Sequence, residues 1–333
     1  MKYALFKHTQ NNLGLVNIGD HIQSCAAEQF LPNVNFYVER DALDKPIEEA
    51  AKIIMNGWFT DAPENWPPNP NLIPLFISFH LQPSSALVIL NKKENIDYLK
   101  KHAPIGCRDY NTLQLLQDKG IDSYYSFCLT TTLDEKFKSK KRTNDIILVD
   151  LLYSYDKSIL RKLNFVQVIK KLPFSKIKKL KGYFIPKARV SHYLPKKIIN
   201  NSIKLDHYVS ASQTNEELYA TAKSYLSKYA TAKLVITSRI HCALPCLALG
   251  TPVLFLMEGL TDEGQHMSRF RGVLDHMNIL TNQNKEEFEK HFGKKMNVYK
   301  PEDIDWDNPP TNPDSFKSLS ESLKEKCKDF VKH

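Results

Sequence analysis

The stretch Leu234–Leu256 constrains the fold more than any other part of the sequence. Leu234–Thr237 is a short apolar run with β-branched residues, which is typical of a buried strand. A segment of small and apolar residues follows and stops at Gly250, the residue type that ends helices in the left-handed conformation. Pro252 prevents continuation, and Val253–Leu256 has the composition of a second buried strand. Strand, helix and strand in this order predict a parallel sheet covered by helices.

Two side chains that can bind anions or transfer protons mark the start of this helix, which is predicted over Arg239–Leu249. Arg239 and His241 fall where the strand ends, the edge at which open α/β sheets bind ligands. Ser238 is predicted to cap the helix, whose first amides attract anions. Pro245 predicts either a kink or a later helix start. An arginine and a histidine at a helix start are also common without any function, so these residues alone leave a purely structural role open.

The central stretch and three earlier segments resemble the polysaccharide pyruvyltransferase family. SRIHCALPCLALGTPVLFL is similar to its C-terminal signature, in which Arg-x-His follows a strand. Three segments match in order: Asn17–Leu31 resembles a Gly-Asp helix start, Ile53–Phe59 a strand ending in Asn-Gly, and Ile105–Ile121 a strand end that carries an arginine. Trp58 stands where a second glycine is usual. The resemblance extends over roughly residues 1–280.

This resemblance implies an α/β fold of two facing Rossmann-like domains with parallel sheets, similar to the GT-B architecture of glycosyltransferases. It also implies transfer of pyruvate from phosphoenolpyruvate to two hydroxyls of a sugar in a polysaccharide or its precursor, which forms a ketal. No cofactor and no metal are expected, since phosphoenolpyruvate is the donor substrate. The expected partners are phosphoenolpyruvate and a sugar acceptor, whose lipid-linked or polymeric form stays open.

The chemistry of such a transfer assigns roles to the candidate residues. The vinyl carbon of the donor must be protonated, and the charge of the leaving phosphate must be stabilised. His241 is the candidate acid or phosphate ligand, and Arg239 belongs to the anion site. Arg108, at a second strand end, is expected to hold the donor's carboxylate or phosphate, on the wall opposite Arg239, with both arginines partly exposed. The remaining candidates are Ser238, Ile240, Arg269 and Arg271 on the donor side and Asp20, Asn56, Trp58 and His80 on the acceptor side.

The acceptor-side candidates rest on the ends of elements in the first half. Asp20 is a candidate helix cap, and its amide is also available to a ligand. Trp58 can either stack on a sugar or pack in the core. His80 lies at the C-terminal end of the predicted strand Leu72–His80. Arg269 and Arg271 follow the loop 258–265, where several basic groups suit a phosphate.

The length of 333 residues predicts two domains. We expect an N-terminal α/β domain over 1–138, a C-terminal α/β domain with the donor site over 144–310, and a bracing helix over 311–333. The basic run Lys136–Thr143 is interpreted as a solvated linker. Phe165–Ile169 is predicted as a strand of the second domain.

The composition leaves two alternative functions open. Lys and Arg number 46 against 37 Asp and Glu, which gives a net charge of +9 and suits anionic ligands. One alternative is a GT-B glycosyltransferase that holds a nucleotide sugar, and the other is a non-catalytic binder of anionic polymer. Nucleic acid is not expected, because no aromatic and basic signature of a base-stacking module is present. Without a targeting signal, a long apolar run or paired cysteine spacing, a cytoplasmic location is expected, with contact at the inner face of the membrane left open.

Overall fold

The computed structural model of the protein describes residues 1–8, 10–11, 14–152, 189–260 and 266–332. The predicted strand Phe165–Ile169 and part of the predicted loop 258–265 lie outside these residues. The strands in the described ranges are β1 (Lys2–Lys7), β2 (Leu15–Asn17), β3 (Phe36–Glu39), β4 (Ala51–Phe59), β5 (Leu72–Leu81), β6 (Ile105–Cys107), β7 (Ser123–Tyr125), β8 (Ile146–Val149), β9 (Ile203–Leu205), β10 (Tyr208–Ser210), β11 (Leu234–Thr237), β12 (Val253–Leu256), β13 (Asn278–Leu280) and β14 (Asn297–Tyr299).

The α-helices in the same ranges are α1 (Ile18–Glu28), α2 (Pro83–Ile89), α3 (Lys93–Lys101), α4 (Tyr110–Gln117), α5 (Asp134–Phe137), α6 (Lys196–Asn201), α7 (Asn215–Thr231), α8 (Ile240–Leu249), α9 (Ser268–Phe270), α10 (Lys285–Phe292) and α11 (Lys317–Lys332). None of these helices is long and apolar enough to cross a membrane.

Two parallel sheets organise the described part of the chain, one in each half. The first has six strands in the order β3-β1-β4-β5-β6-β7, and the second has six in the order β14-β13-β12-β11-β8-β9. β11 pairs in parallel with β8 and with β12, as the central stretch predicts. The fold is therefore α/β, with two Rossmann-like sheets in a GT-B-like arrangement.

Alternation along the strands explains why both faces of each sheet are covered. Leu5 in β1 and Val235 in β11 face one continuous apolar core that is shared by the two halves. Phe6 in β1 packs into a second core on the outer face of the first sheet. Ile236 in β11 packs into a third core on the outer face of the second sheet. Since successive side chains point to opposite faces, apolar runs of this kind can be buried only in a sheet with helices on both sides.

A short antiparallel ladder joins the two halves directly. β2 of the first half pairs with β10 of the second, with Asn17 opposite Tyr208 and Leu15 opposite Ser210. The amide of Ile18 continues this contact by donating to the carbonyl of His207 at 2.7 Å. The sequence pattern does not predict this pairing between the halves.

The central helix begins one residue later than predicted. Arg239 is the N-cap of α8 and has extended backbone angles. The prediction that Ser238 caps the helix is wrong, because its hydroxyl donates to the carbonyl of Leu256 at 2.8 Å and accepts from the amide of Leu152 at 3.2 Å. Ser238 thus fastens neighbouring chain segments together at the strand ends.

The kink predicted from Pro245 is present, and it falls on His241. His241 departs from helical geometry, with φ −80° and ψ 16°. Pro245 is four residues further along, so it has no N–H for the carbonyl of His241, and its ring crowds that carbonyl. Gly250 ends the helix in the left-handed region at φ 66°, as predicted. The proline therefore shapes the backbone that carries the candidate acid.

The C-terminal helix α11 crosses back to the first half. Ser320 donates to the carbonyl of Thr131 at 2.9 Å, and Lys324 is buried in ion pairs that include Asp134 at 2.9 Å. Lys52 of β4 donates to the carbonyl of Phe330 at 2.7 Å. The helix therefore braces the first half, while the exact division into domains at residues 138, 144 and 311 remains a prediction.

The basic run Lys136–Thr143 is more than a solvated linker. Arg142 donates to the carbonyl of Ala230 at 2.7 Å and to the carbonyl of Leu249 at 2.8 Å. These carbonyls lie in the last turns of α7 and α8, where helices lack internal partners and favour a positive charge. The interpretation as a purely solvated run is wrong for this residue.

We expect Arg142→Met to lower the free energy of unfolding by about 1–2 kcal/mol, since it removes charged hydrogen bonds to two helix ends while the aliphatic stem is kept. Urea unfolding followed by circular dichroism measures the change. Lys141→Met removes an equal charge from the neighbouring exposed position and should shift the midpoint little. Equal shifts in the two variants would contradict the proposed anchoring.

Candidate active site

A polar cleft of about 380 Å³ opens where the carboxyl ends of the two sheets face each other. Side chains of both halves line it. The residues are Gln10, Asn11, Leu15, Asn17, Gly19, Asp20, Arg40, Trp58, Asp61, His80 and Gln82 from the first half, and His207, Tyr208, Arg239, Ile240, His241, His266 and Arg269 from the second. This is the edge at which parallel α/β sheets bind ligands.

Arg239 lies at the cleft with part of its guanidinium already engaged. Its Nε donates to the carboxylate of Asp150 at 2.8 Å, and its guanidinium carbon lies 4.7 Å from the centre of the Tyr208 ring. The side chain keeps about 11% of its surface exposed. Asp150 and Tyr208 therefore fix the direction of the guanidinium at the edge of the cleft.

Arg108 meets His241 across the two halves. The Nη1 atom of Arg108, at the end of β6, lies 3.4 Å from the Nε2 atom of His241, at the start of α8. The prediction that Arg108 is partly exposed is wrong: its exposed fraction is 0%. Burial, followed by the charges of Arg108 and Arg269, holds the pKa of His241 well below its usual range. His241 is therefore neutral near pH 7.

The guanidinium of Arg108 is incompletely satisfied. Its Nε and Nη2 atoms have no hydrogen-bond partner among the described residues. The closest carboxylate is that of Asp109, at 3.7 Å from Nε, which is too far for a hydrogen bond. Burying a charged group without partners is costly, so an anion that accepts from these atoms would be bound strongly.

His80 and Asp109 form a buried pair at the floor of the cleft. The Nδ1 atom of His80 lies 2.6 Å from a carboxylate oxygen of Asp109. The other oxygen of Asp109 accepts from the amide and the hydroxyl of Thr112, both at 2.9 Å. The contact with Asp109 holds a proton on Nδ1 of His80 and leaves the lone pair on Nε2. Burial lowers the pKa of His80 to about 4, in spite of the opposing effect of Asp109.

Arg40 organises the wall of the first half. Its guanidinium carbon lies 4.7 Å from the centre of the Trp58 ring, and it forms ion pairs with Asp41 at 3.0 Å and Asp20 at 3.5 Å. Trp58 also donates from its indole to the amide oxygen of Gln82 at 3.1 Å. One face of Trp58 is therefore covered by the guanidinium, and carboxylates surround the arginine.

The helix start at Asp20 also differs from the prediction. Asn17 caps α1 by accepting from the amide of Gly19 at 3.1 Å, so the assignment of Asp20 as the cap is wrong. Asp20 instead lines the cleft, as does the neighbouring Gly19.

The remaining predicted residues divide between the cleft and its surroundings. Ile240 and Arg269 line the cleft, whereas Arg271 is exposed outside its lining.

Asn56 is buried and donates to the carbonyl of Gln23 at 2.9 Å. Gly57 beside it has φ 104° and leaves no space for a Cβ, which would lie 2.6 Å from the side chain of Gln23. Asn56 and Gly57 therefore pack β4 onto α1, away from the cleft lining.

The comparison with known families fits this geometry. A family model described as polysaccharide pyruvyl transferase matches residues 17–258. The chain belongs to this family. The matched range includes Arg108, His80 and the Arg239–His241 segment, but it ends before Arg269. A comparison of the sequence with curated proteins finds no match.

Sequence reasoning missed three residues of the cleft and its support. Arg40 follows an edge strand, Asp109 caps the helix α4, and His207 precedes a strand that pairs across the halves. His207 is buried, and its Nε2 atom lies 3.0 Å from the hydroxyl of Tyr229. A polar residue directly after or before a strand was the available signal for all three, but it does not distinguish the cleft from an ordinary turn. Among the described residues, no cluster of His, Cys, Asp and Glu is arranged to hold a metal ion.

We expect His80 to make the fold sensitive to acid. Its folded-state pKa of about 4 lies below the ordinary 6.5, so its stabilisation is complete above about pH 6.5 and is lost as the pH falls toward 4. The loss can reach about 3 kcal/mol. Urea unfolding measured at several pH values should therefore show a shallower acid-side loss for His80→Gln than for the wild type. His192→Gln, at an exposed histidine, should keep the wild-type slope, and an unchanged slope in His80→Gln would contradict the prediction.

Proposed function

We propose that the protein transfers the pyruvyl group of phosphoenolpyruvate to two hydroxyls of a sugar in a polysaccharide or its precursor, with formation of a ketal. The observation that carries this proposal is the buried guanidinium of Arg108. Its Nη1 atom lies 3.4 Å from Nε2 of His241, and its Nε and Nη2 atoms have no hydrogen-bond partner among the described residues. A transferase of the polysaccharide pyruvyl transferase family needs an anion site next to an acid–base group, and this arrangement supplies both.

The donor site combines positive groups from both halves. Arg108 contributes from the first half, and Arg239 and Arg269 contribute from the second. The Nε atom of Arg269 is also buried without a hydrogen-bond partner in the described part of the chain. The first amides of α8 add the partial positive charge of a helix N-terminus. Phosphoenolpyruvate carries a phosphate and a carboxylate, so it can satisfy several of these donors at once.

The atoms of the reaction balance with two proton transfers. One sugar hydroxyl adds to the central carbon of phosphoenolpyruvate while the CH2 group gains a proton and becomes a methyl group. The carbon–oxygen bond to phosphate then breaks, and the second hydroxyl adds to the same carbon. Each hydroxyl loses a proton, so one proton ends on the methyl group and the other on the departing phosphate. The site therefore needs at least one base and one acid.

His80 is suited to the role of base. Asp109 accepts the proton on Nδ1, so Nε2 presents its lone pair. The low pKa keeps the imidazole neutral at physiological pH, so the lone pair on Nε2 is not already protonated. When His80 takes the hydroxyl proton, the carboxylate of Asp109 stabilises the imidazolium that forms. His241, next to the donor site, is then the candidate acid.

The wall around Arg40 is suited to the sugar acceptor. Asp20 and Asp61 offer carboxylate oxygens at the cleft, and Gln82 offers an amide. These groups can accept and donate hydrogen bonds to hydroxyls. Trp58 has its second face available for a sugar ring, since Arg40 covers the first. We therefore assign the first half to the acceptor and the second half, together with Arg108, to the donor.

Incubation of the protein with phosphoenolpyruvate and a panel of mono- and oligosaccharide acceptors tests the proposal. Mass spectrometry should detect the pyruvate ketal, together with release of phosphate. Products formed from a nucleotide sugar instead, without any ketal from phosphoenolpyruvate, would support the glycosyltransferase alternative and overturn the proposal.

Two arginines two residues apart provide a matched pair for the donor site. Arg269 lines the cleft, and Arg271 is exposed outside its lining. We expect Arg269→Gln to raise the KM for phosphoenolpyruvate about 10- to 100-fold, because a charged hydrogen bond is worth about 1.5–3 kcal/mol. Arg271→Gln should change it less than about threefold.

Steady-state kinetics with the donor and the acceptor varied separately provide the measurement. The acceptor's KM should move far less than the donor's in Arg269→Gln. A donor defect of equal size in both variants, or a defect confined to the acceptor, would exclude Arg269 from the donor site.

A further inference from the structure

His241 is surrounded by positive charge and is deeply buried. Arg108 approaches it from the end of β6, and the charge of Arg269 adds to the effect from α9. Two histidines also lie close to it: His207, which precedes β10, and His80 at the end of β5, which its low pKa keeps neutral near pH 7. Only 5% of the surface of His241 is exposed. The two arginines oppose a positive charge on the imidazole. On α1, which packs against the start of α8, a Cβ at Gly19 would lie 3.3 Å from the Cβ of His241, and the adjacent carboxylate of Asp20 is already paired with Arg40 at 3.5 Å.

The contact with Arg108 also fixes which nitrogen of His241 is protonated. A guanidinium has only hydrogen-bond donors, so the Nε2 atom that faces Nη1 must be the acceptor, and the proton of the neutral ring lies on Nδ1. In this state His241 cannot give a proton from Nε2 to a group bound beside Arg108. The acid that the proposed reaction requires is therefore missing until the ring gains a second proton.

The carboxylate nearest to Arg108 cannot supply the missing negative charge. Asp109 is committed to His80 through one oxygen and to Thr112 through the other. It stays 3.7 Å from the Nε atom of Arg108. An anion that enters the cleft contacts Arg269 and His241, which line it, and its charge also acts on the buried Arg108 next to His241.

We propose that the donor itself creates the acid: binding of phosphoenolpyruvate beside Arg108 draws one proton from solvent onto Nε2 of His241. This inference rests on the proposed function. Near pH 7 phosphoenolpyruvate carries close to three negative charges, because its phosphate loses its second proton near pH 6. Opposite charges within about 4–6 Å shift a pKa by about 1–3 units toward the charged form. The imidazolium then donates to a phosphate oxygen and is next to the carbon that must be protonated.

This arrangement links proton uptake to donor binding. Without the donor, His241 stays neutral, so no further positive charge is added beside Arg108 and Arg269. With the donor bound, the acid is present in the one complex that can use it. Linkage requires that the affinity for phosphoenolpyruvate falls as the pH rises through the pKa of His241 in the complex.

Calorimetric titration of the full-length protein with phosphoenolpyruvate measures the proton directly. The binding heat is recorded at about pH 7 in two buffers that differ in ionisation enthalpy, and the difference gives the number of protons exchanged. We expect an uptake of about 0.5–1 proton per bound molecule in the wild type.

His241→Gln isolates the contribution of the imidazole. Phosphoenolpyruvate releases the same number of protons on binding to either protein. The difference in proton uptake between the wild type and the variant therefore measures the contribution of His241 alone. We expect this difference to be close to the full uptake, whereas Arg271→Gln should retain the wild-type value. Binding without proton exchange, or an undiminished uptake in His241→Gln, would overturn the inference while leaving the proposed donor intact.

A second measurement decides the case if His241→Gln no longer binds phosphoenolpyruvate. Nitrogen NMR of wild-type protein with labelled histidines distinguishes the neutral ring from the imidazolium. The signal of His241 is assigned as the one that is absent from the spectrum of unliganded His241→Gln. Appearance of the imidazolium signal on saturation with phosphoenolpyruvate supports the inference, and a ring that stays neutral overturns it. Failure of the wild type to bind phosphoenolpyruvate in any of these titrations would instead overturn the proposed donor.

Discussion

Helix α1 packs against helices from the other half, and this apolar contact fixes the position of one sheet relative to the other. Ile18 and Ile22 of α1 belong to the same buried cluster as Leu244 of α8 and Tyr219 of α7. The core is therefore continuous through both halves, which distinguishes it from the polar and separable interfaces common between domains. This core determines the geometry of the cleft, because the packed helices α1 and α8 both begin at the cleft.

A rigid frame of this kind allows charged groups to be buried where a looser structure would expel them. Arg108 is fully buried, and the cost of its two unpartnered nitrogens is of the order of kilocalories per mole. The shared core, the contacts of α11 and the helix ends tied by Arg142 can offset this cost. The charged side chains that line the cleft, Arg239, Arg269 and His241, are then held in place before an anion arrives, and an anion reaches Arg108 itself only when His241 moves aside.

The sequence predicted the local parts of this structure and missed the parts that depend on distant partners. The β11–α8–β12 unit follows from apolar runs, Pro245 and Gly250, all within about two dozen residues. The exposure of Arg108 could not be predicted, because His241, which covers it, is 133 residues away. Asp109 caps α4 by accepting from the amide of Thr112, a local role that a polar residue before a helix commonly has. The contact between its other oxygen and His80 could not be predicted, because neither the periodicity nor the composition of the sequence indicates it.

The ladder between β2 and β10 also has a consequence for how the chain folds. Its two strands are separated by almost two hundred residues of sequence. Bringing them together costs conformational entropy, and the local structure of each strand does not offset this cost before the strands pair. The first half on its own would leave β2 without its partner and the apolar face of α1 in water. We therefore expect the two halves to complete their native structure together and to unfold as one cooperative unit in spite of the two sheets.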